Sequence, residues 1–311
     1  MKLPKKNISV LLVGLILEAG FLLLPGCAHS EKSGDPSFSE EYSSTAYELK
    51  KEENTYNENF NIIVEDDTLP PEENMVRSPL TNEWISKEAA AIRPIAVMIP
   101  NEINAIPHYS LSKASVVYEA KVEGSMTRLM AVYDDWLELV RIGNIRSTRT
   151  YYAYWSFEWD AFLVHYGGPY YINELMDQED TENIDGLSGD GSAFYRSKDR
   201  PDPHNVYTDG SELLKRIKSD HYSLEYRGLT ETEHFKFTSK AEPNSLSRYK
   251  DAQNAAYIDM SGCYPLTRCY FEFNEDDGLY YRFQHLSGGS DGPHADADGC
   301  RQRGWGDPLL H

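Results

Sequence analysis

The chain is short of cations. It has 30 Lys+Arg against 50 Asp+Glu in 311 residues, a formal net charge of −20. That balance excludes broad nucleic-acid binding, which needs cations to displace the counterions around phosphates. It has no G-x-x-x-x-G-K-[ST], no H-E-x-x-H and no C-x-x-C, so the common nucleotide, zinc-protease and redox signatures are missing. No internal repeat of 20–50 residues is present, and the composition excludes collagen-like, coiled-coil and multi-pass membrane classes. What is there is apolar material for one large or two modest cores, 40% hydrophobic with 22 Tyr.

The one long apolar run, Ile8 to Leu24, follows Lys2, Lys5 and Lys6 and ends in Leu24-Pro25-Gly26-Cys27. A positive stretch, an apolar stretch and a small residue before Cys form a secretory signal with a lipobox-like end. Residues 1–26 are read as the signal peptide and Cys27 as the lipidation site. Two or more acyl chains there give stable anchoring to the membrane. The rest of the chain is then expected on the extracytoplasmic face. Glu18 inside the run and Pro25 near the cleavage point depart from the pattern, and an uncleaved single span is the alternative.

The acidity is unevenly spread. Residues 28–76 hold 13 acidic and 3 basic residues, and residues 77–311 carry the other −12. Rich in Ser, Glu, Asn and Asp, residues 28–76 bury too little to offset their ordering entropy and read as an acidic tether. Asn61-Ile62-Ile63-Val64 is its single strand-like piece.

From Arg77 onward the pattern changes. Strands are expected at Arg93–Ile99, Val116–Val122, Arg128–Tyr133 and Asp160–Tyr166. Helices are expected from a Ser147 cap to about Trp159, over about Tyr171–Gln178, and from a Ser211 cap to about Lys218. This alternation predicts an α/β or α+β main domain with a mixed sheet over 77–242. Tyr270–Phe273 and Leu279–Phe283 read as an aromatic hairpin. It belongs to a small β-rich domain over 243–311 with a thin core. The stretch after Leu286 shows no strand pattern that would cover the hairpin's edge.

With Cys27 assigned to lipid, Cys263, Cys269 and Cys300 remain. Cys263 and Cys269 flank a turn and could bridge. His294–Gly299 loosely resembles a calcium loop, but His stands where Asp belongs and Trp305 where Glu belongs. Neither a metal nor a cofactor is expected.

The polar residues at strand ends and in loops are the candidate site. Arg128, Arg146, Arg149, Arg196 and Asn205 are the candidate ligand-binding residues, because guanidinium forks beside a helix start can hold a carboxylate or phosphate. Glu119, Glu123, His165 and His204 are the weaker acid–base candidates. The competing reading is that the arginines pair with Glu119 and Glu123 and brace the fold.

The ordered motifs Arg93-Pro94-Ile95-Ala96-Val97-Met98-Ile99 with Asn101, Val117-Tyr118-Glu119-Ala120, Val122-Glu123-Gly124, Thr127-Arg128, Ile145-Arg146-Ser147 with Arg149, His165-Tyr166-Gly167-Gly168, Phe194-Tyr195-Arg196 and Pro203-His204-Asn205 cover about residues 79–220. In this series the chain resembles the YerB-like lipoproteins of Gram-positive bacteria, a family of unknown function. The resemblance implies an exported, lipid-anchored protein with a two-part body, and supplies no reaction. It also implies that the second domain runs on through further strands. On that ground the chain is expected to be truncated or frame-shifted after about Leu286, with Cys300, Trp305 and the His294–Asp298 run as by-products.

Three functions follow as expectations. The first is a binding or accessory module at the cell envelope, taking a small anionic or cell-wall-derived ligand. The second is a hydrolase of envelope polymers using the Glu/His residues with the arginines as electrostatic stabilisers. The third is a purely structural surface protein.

Overall fold

In a computed structural model, the described residues are 69–228, 234–235, 237, 249–251, 253–286 and 289–304. The signal segment, Cys27, Asn61–Val64, Trp305 and the boundary near residue 243 lie outside them. Among the described residues no helix is long and apolar enough to cross a membrane.

The fold is α+β. A short antiparallel pair, β1 (Met75–Arg77) and β2 (Trp84–Ser86), leads into α1 (Lys87–Ala90), which Ser86 caps by accepting from the Ala89 amide. Then come β3 (Ile95–Pro100), β4 (Val116–Lys121) and β5 (Thr127–Tyr133). Next are β6 (Ile142–Gly143), α2 (Thr150–Glu158), β7 (Phe162–His165), α3 (Asn173–Met176) and β8 (Asn183–Asp185). The main sheet has the order β4-β5-β3-β7-β8. It is mixed: β3 is antiparallel to β5 and parallel to β7, and β7 is parallel to β8.

Every residue of β3 is buried, which is why its sequence is a continuous apolar run rather than an alternating one. Ile95, Val97 and Ile99 face one core with Trp136, Leu213 and Ile217. Ala96 and Met98 face the other, with Tyr152, Ala153 and Trp159. The strand is thus covered on both faces, and each such large apolar side chain contributes roughly 1.5–3 kcal/mol on burial. A small second sheet of β9 (Tyr195–Arg196) and β10 (Val206–Thr208) with β6 precedes α4 (Gly210–Ser219).

Two helix starts differ from expectation. Ser147 does not begin α2; Arg149 holds the cap position. The reason lies in the backbone before it. Arg146 N–H donates to Met98 O and Thr148 N–H to Gly167 O, so this stretch is held extended beside β3 and the end of β7. Helical geometry can start only after those bonds are made. Asp209, not Ser211, caps α4, accepting from Glu212 N–H at 2.9 Å while Ser211 Oγ donates to the same carboxylate. The helix expected over 171–178 is a 3₁₀ turn, Tyr170–Ile172, continuing into the short α3.

The last sheet is antiparallel: β11 (Tyr257–Asp259), β12 (Cys269–Asn274), β13 (Leu279–His285), β14 (Asp291–Pro293) and β15 (Arg303–Gly304). Both β14 and β15 pair with β13, so the hairpin's edge is covered and the absence of strands after Leu286 is corrected. Their sequence hid them because they are short and rich in Asp and Gly. The bridge between Cys263 and Cys269 does not form: Cys263 is exposed and Cys269 is buried, both free. Cys269 lies on the inner face of the sheet, and burial raises its thiol to about 11.

That inner face is mostly polar and docks on the end of the main sheet. Arg282 donates to Glu119 at 3.0 Å, Gln284 Nε2 to Asn101 O at 3.1 Å, and Thr127 meets Thr267 at 2.7 Å. Asp296 accepts from the amide and hydroxyl of Ser112 at 2.8 and 2.6 Å. A buried relay joins the two halves. His108 Nε2 lies 2.7 Å from Pro100 O, which can only accept, so that nitrogen carries the proton. His108 Nδ1 then accepts from His294 Nε2 at 3.1 Å, and His294 Nδ1 accepts from Arg282. Both rings are neutral; burial pushes His108 down to about 3 and His294 well below the ordinary imidazole range.

Candidate functional site

The C-terminal end of β3 gathers the charged residues. Arg128 of β5 stands in register with Pro100, the last residue of β3. Glu102 follows two residues later. Arg146 is fixed beside the same strand end: its N–H bonds Met98 O and its carbonyl accepts from Tyr166 N–H just past β7. Strand ends in sheets with parallel pairs are common ligand positions, because loops from several strands meet there. His204 arrives on the loop before β10. Asn144 ties that loop in place, donating to His204 O at 2.8 Å and Ala105 O at 3.0 Å.

These side chains form one electrostatic group. Burial lowers Arg128 to about 10, with Arg149 and Arg146 lowering it further and Glu102 opposing. Burial also lowers His204 below its ordinary value; Glu102 opposes, and Arg146, Arg200 and Arg128 add to the fall. Of the charges acting on His204, three are guanidinium groups and one is a carboxylate. Arg200 is spent on the carbonyls of Ala105 and Pro107 and brings no counter-ion.

Hydrogen bonding in this corner is incomplete. Arg128 is 3% exposed and donates once, from a terminal nitrogen to Ser147 O at 2.6 Å, but its Nε has no partner. Arg146 Nε, Glu102 Oε2 and His204 Nδ1 are also buried without partners. A buried unpaired donor or acceptor costs about 1–3 kcal/mol, more when charged. Four in one mutually interacting group is an arrangement that a bound polar molecule would relieve.

The other expected residues fall elsewhere. Arg149 donates to both oxygens of Glu123, closing a bidentate ion pair, and to Thr148 O. The Arg149 hydrogen bonds hold Glu123 down to about 2. Glu119 is held by Arg282 and by Asn101 at 2.9 Å. Arg196 is divided between Asp202 and Asn205 and lies over the Tyr166 ring. His165 does not meet His204. Its Nδ1 lies 2.9 Å from Gly167 O and its Nε2 3.0 Å from Asn183 Oδ1. It lines a separate hollow of about 430 Å³ with Asn183, Asp185, Asp190 and Tyr222. The carboxylates there are occupied: Asp185 accepts from Gly167 and Leu187 N–H, and Asp190 pairs with Arg216. Among the described residues no group of three or more His, Cys, Asp or Glu is placed to hold a metal ion.

Glu102 was missed by sequence reasoning. Its one signal is position, just past a buried strand beside Asn101. Arg282 and His294 were missed too. Alternation along β13 points Arg282 to the same side as buried Tyr280 and Gln284, which is the signal that could have placed it.

Residues 80–223 match a family model described as "Protein of unknown function (DUF3048) N-terminal domain". Over 182 residues the chain is 31% identical to "Putative lipoprotein YerB" of Bacillus subtilis (strain 168), covering 58% of this chain and 54% of that protein. Over this region the chain is similar to the YerB-like proteins. It spans about half the length of that curated relative. The crystal structure of the YerB protein from Bacillus subtilis superposes with a TM-score of 0.56 at 24% identity, covering 73% of this chain and 79% of that one. The YerB-like fold is therefore shared. The strand-end corner built by Arg128, Arg146, Glu102 and His204 lies within the region that the family model matches.

Proposed function

We propose that this chain is a lipoprotein tethered through Cys27 to the outer face of the cytoplasmic membrane, whose body binds a small anionic, envelope-derived ligand at the Arg128–Arg146 corner. One observation carries the binding reading: two arginines with buried, unpartnered Nε–H groups act on one another across a corner with a single unpaired carboxylate. Arg282 and Arg149 each reach a carboxylate, whereas Arg128 and Arg146 reach none in the described contacts. The lipobox-like end at Cys27 and the lipoprotein name of the relative support the tether.

A hydrolytic role has less support. Glu119 and Glu123 each hold an arginine, and both ring nitrogens of His165 are engaged. That leaves Glu102 and His204, 4.0 Å apart, without a nucleophile beside them in the described contacts.

The test is retention of the full chain on teichoic acids and on soluble peptidoglycan fragments, for wild type and Arg146→Met. At least tenfold weaker retention of the variant is expected. Equal retention removes the corner from the function. For the tether, Cys27→Ser should move the protein from the membrane fraction to the medium or a soluble fraction, and unchanged membrane recovery would reject lipid anchoring at that residue.

A further inference from the structure

The corner lacks partners on two sides of opposite chemistry. Arg128 Nε and Arg146 Nε are donors and call for an acceptor-rich anion. Glu102 Oε2 is an acceptor and calls for a donor. A simple anion satisfies the first pair and repels the second. His204 Nδ1 stands beside Glu102 Oε2 at 4.0 Å, too far for a direct hydrogen bond. That gap suits one bridging atom. An oxygen about 2.8 Å from each would subtend roughly 90°, within the range one hydroxyl uses when it donates to a carboxylate and accepts from an imidazole N–H.

We infer that the ligand is a hydroxylated anion, with its phosphate or carboxylate on Arg128 and Arg146 and a nearby hydroxyl bridging Glu102 Oε2 and His204 Nδ1. This rests on the anion-binding reading above and adds the substrate class: polyol phosphates or hydroxy acids rather than bare anions. Glu102 then selects for the hydroxyl. A carboxylate left unpaired next to a bound anion is costly, and a ligand bearing a donor removes that cost, while one without it does not. The same residue would disfavour inorganic phosphate and sulfate.

The experiment compares paired probes by calorimetric titration of the full chain at pH 7. Ethyl phosphate and glycerol 3-phosphate differ in hydroxyls, and propionate and lactate are the matching carboxylates. Wild type is expected to bind the hydroxylated member of at least one pair about tenfold more tightly, the worth of one charge-assisted hydrogen bond. In Glu102→Gln that preference should fall to about twofold or less, while the plain anion binds as well as before or better because a negative charge has gone. The wild-type comparison needs no variant, so a misfolded Glu102→Gln cannot decide the outcome. Equal affinity within each pair, with both lost in Arg146→Met, would overturn the hydroxyl inference and leave the anion corner standing. Binding of none of the four probes, or binding unaffected by Arg146→Met, would overturn the anion reading and this inference with it.

Discussion

Two buried arginine corners sit at opposite ends of the same strand region, and they are built differently. Before β3, Arg93 is fully buried, and each of its nitrogens has an oxygen close by. Nε lies 2.7 Å from Asp160 O, one terminal nitrogen bonds Glu182 and Ser223 O, and the other lies 3.3 Å from the Asp160 carboxylate. Its guanidinium also rests 4.1 Å from the Phe162 ring centre. Past the other end of β3, Arg128 and Arg146 each leave Nε unpaired, with Glu102 and the Arg149-bound Glu123 as the carboxylates acting on Arg128. The first corner supplies its arginine with two carboxylates, although one terminal nitrogen of Arg93 makes no hydrogen bond. The second puts no carboxylate within ion-pair distance of either arginine among the described contacts, and that difference in counter-ions separates a brace from a candidate binding site better than burial does, since both corners are buried.

The contrast can be broken by mutation. The largest effect is expected at Arg93. Arg93→Met leaves the buried Asp160 and the partly buried Glu182 with only Arg227 nearby, and should cost about 3–5 kcal/mol in urea unfolding. A loss below about 1 kcal/mol would mean that the closed corner is not a brace.

The His108–His294 relay has a partner on each ring nitrogen and should appear in the pH dependence. Both rings stay neutral when folded but protonate near 6.5 when unfolded. Below that pH the unfolded chain binds protons that the folded chain does not, so stability falls as pH falls. The upper bound is about 1.4 kcal/mol per pH unit for each ring until the folded group itself titrates, about 3 for His108. Unfolding curves at pH 6.5 and 5 should differ by roughly 2 kcal/mol per ring, and His294→Gln should remove about half of the slope. A flat profile would place water or charge beside these rings.

Arg146→Met should behave unlike Arg93→Met. With no hydrogen-bond partner to strand, its stability change is expected within about 0.5 kcal/mol, whereas ligand retention falls at least tenfold. A destabilisation as large as that of Arg93→Met would erase the distinction between the corners. The smallest effect belongs to Glu123→Gln. The Arg149 pair is exposed on the Glu123 side, so a change of a few tenths of a kcal/mol is expected. Because the folded Glu123 is held down to about 2, that small contribution is present above the ordinary carboxylate range and is lost as the pH falls toward 2.

How much of this was legible in the sequence depends on the range of the signal. The apolar runs at Ile95–Ile99 and Arg128–Tyr133 located β3 and β5 because a strand buried on both faces leaves a continuous apolar run. The cap at Ser147 failed because a long-range pairing of Arg146 and Thr148 with the sheet overrode a local propensity. Among the site residues, Arg128, Arg146 and His204 were visible as polar groups at element ends. Glu102 was not, because nothing local distinguishes it from the many other acidic residues. His294 was hidden by its surroundings, a Gly- and Asp-rich stretch that reads as a loop until β13 supplies the other half of its ladder.

By itself the sequence determined the mixed-sheet core, the family pattern, the concentration of acidity before the body and the set of arginines from which any anion site must be drawn. These follow from periodicity, composition and short motifs, which are properties of neighbouring residues. Only the tertiary structure decided which of those arginines were already spent. Arg149 and Arg196 met carboxylates, whereas Arg128 and Arg146 were brought together with Glu102 and His204. Hydrogen-bond saturation is a property of partners distant in sequence, and no local pattern encodes it.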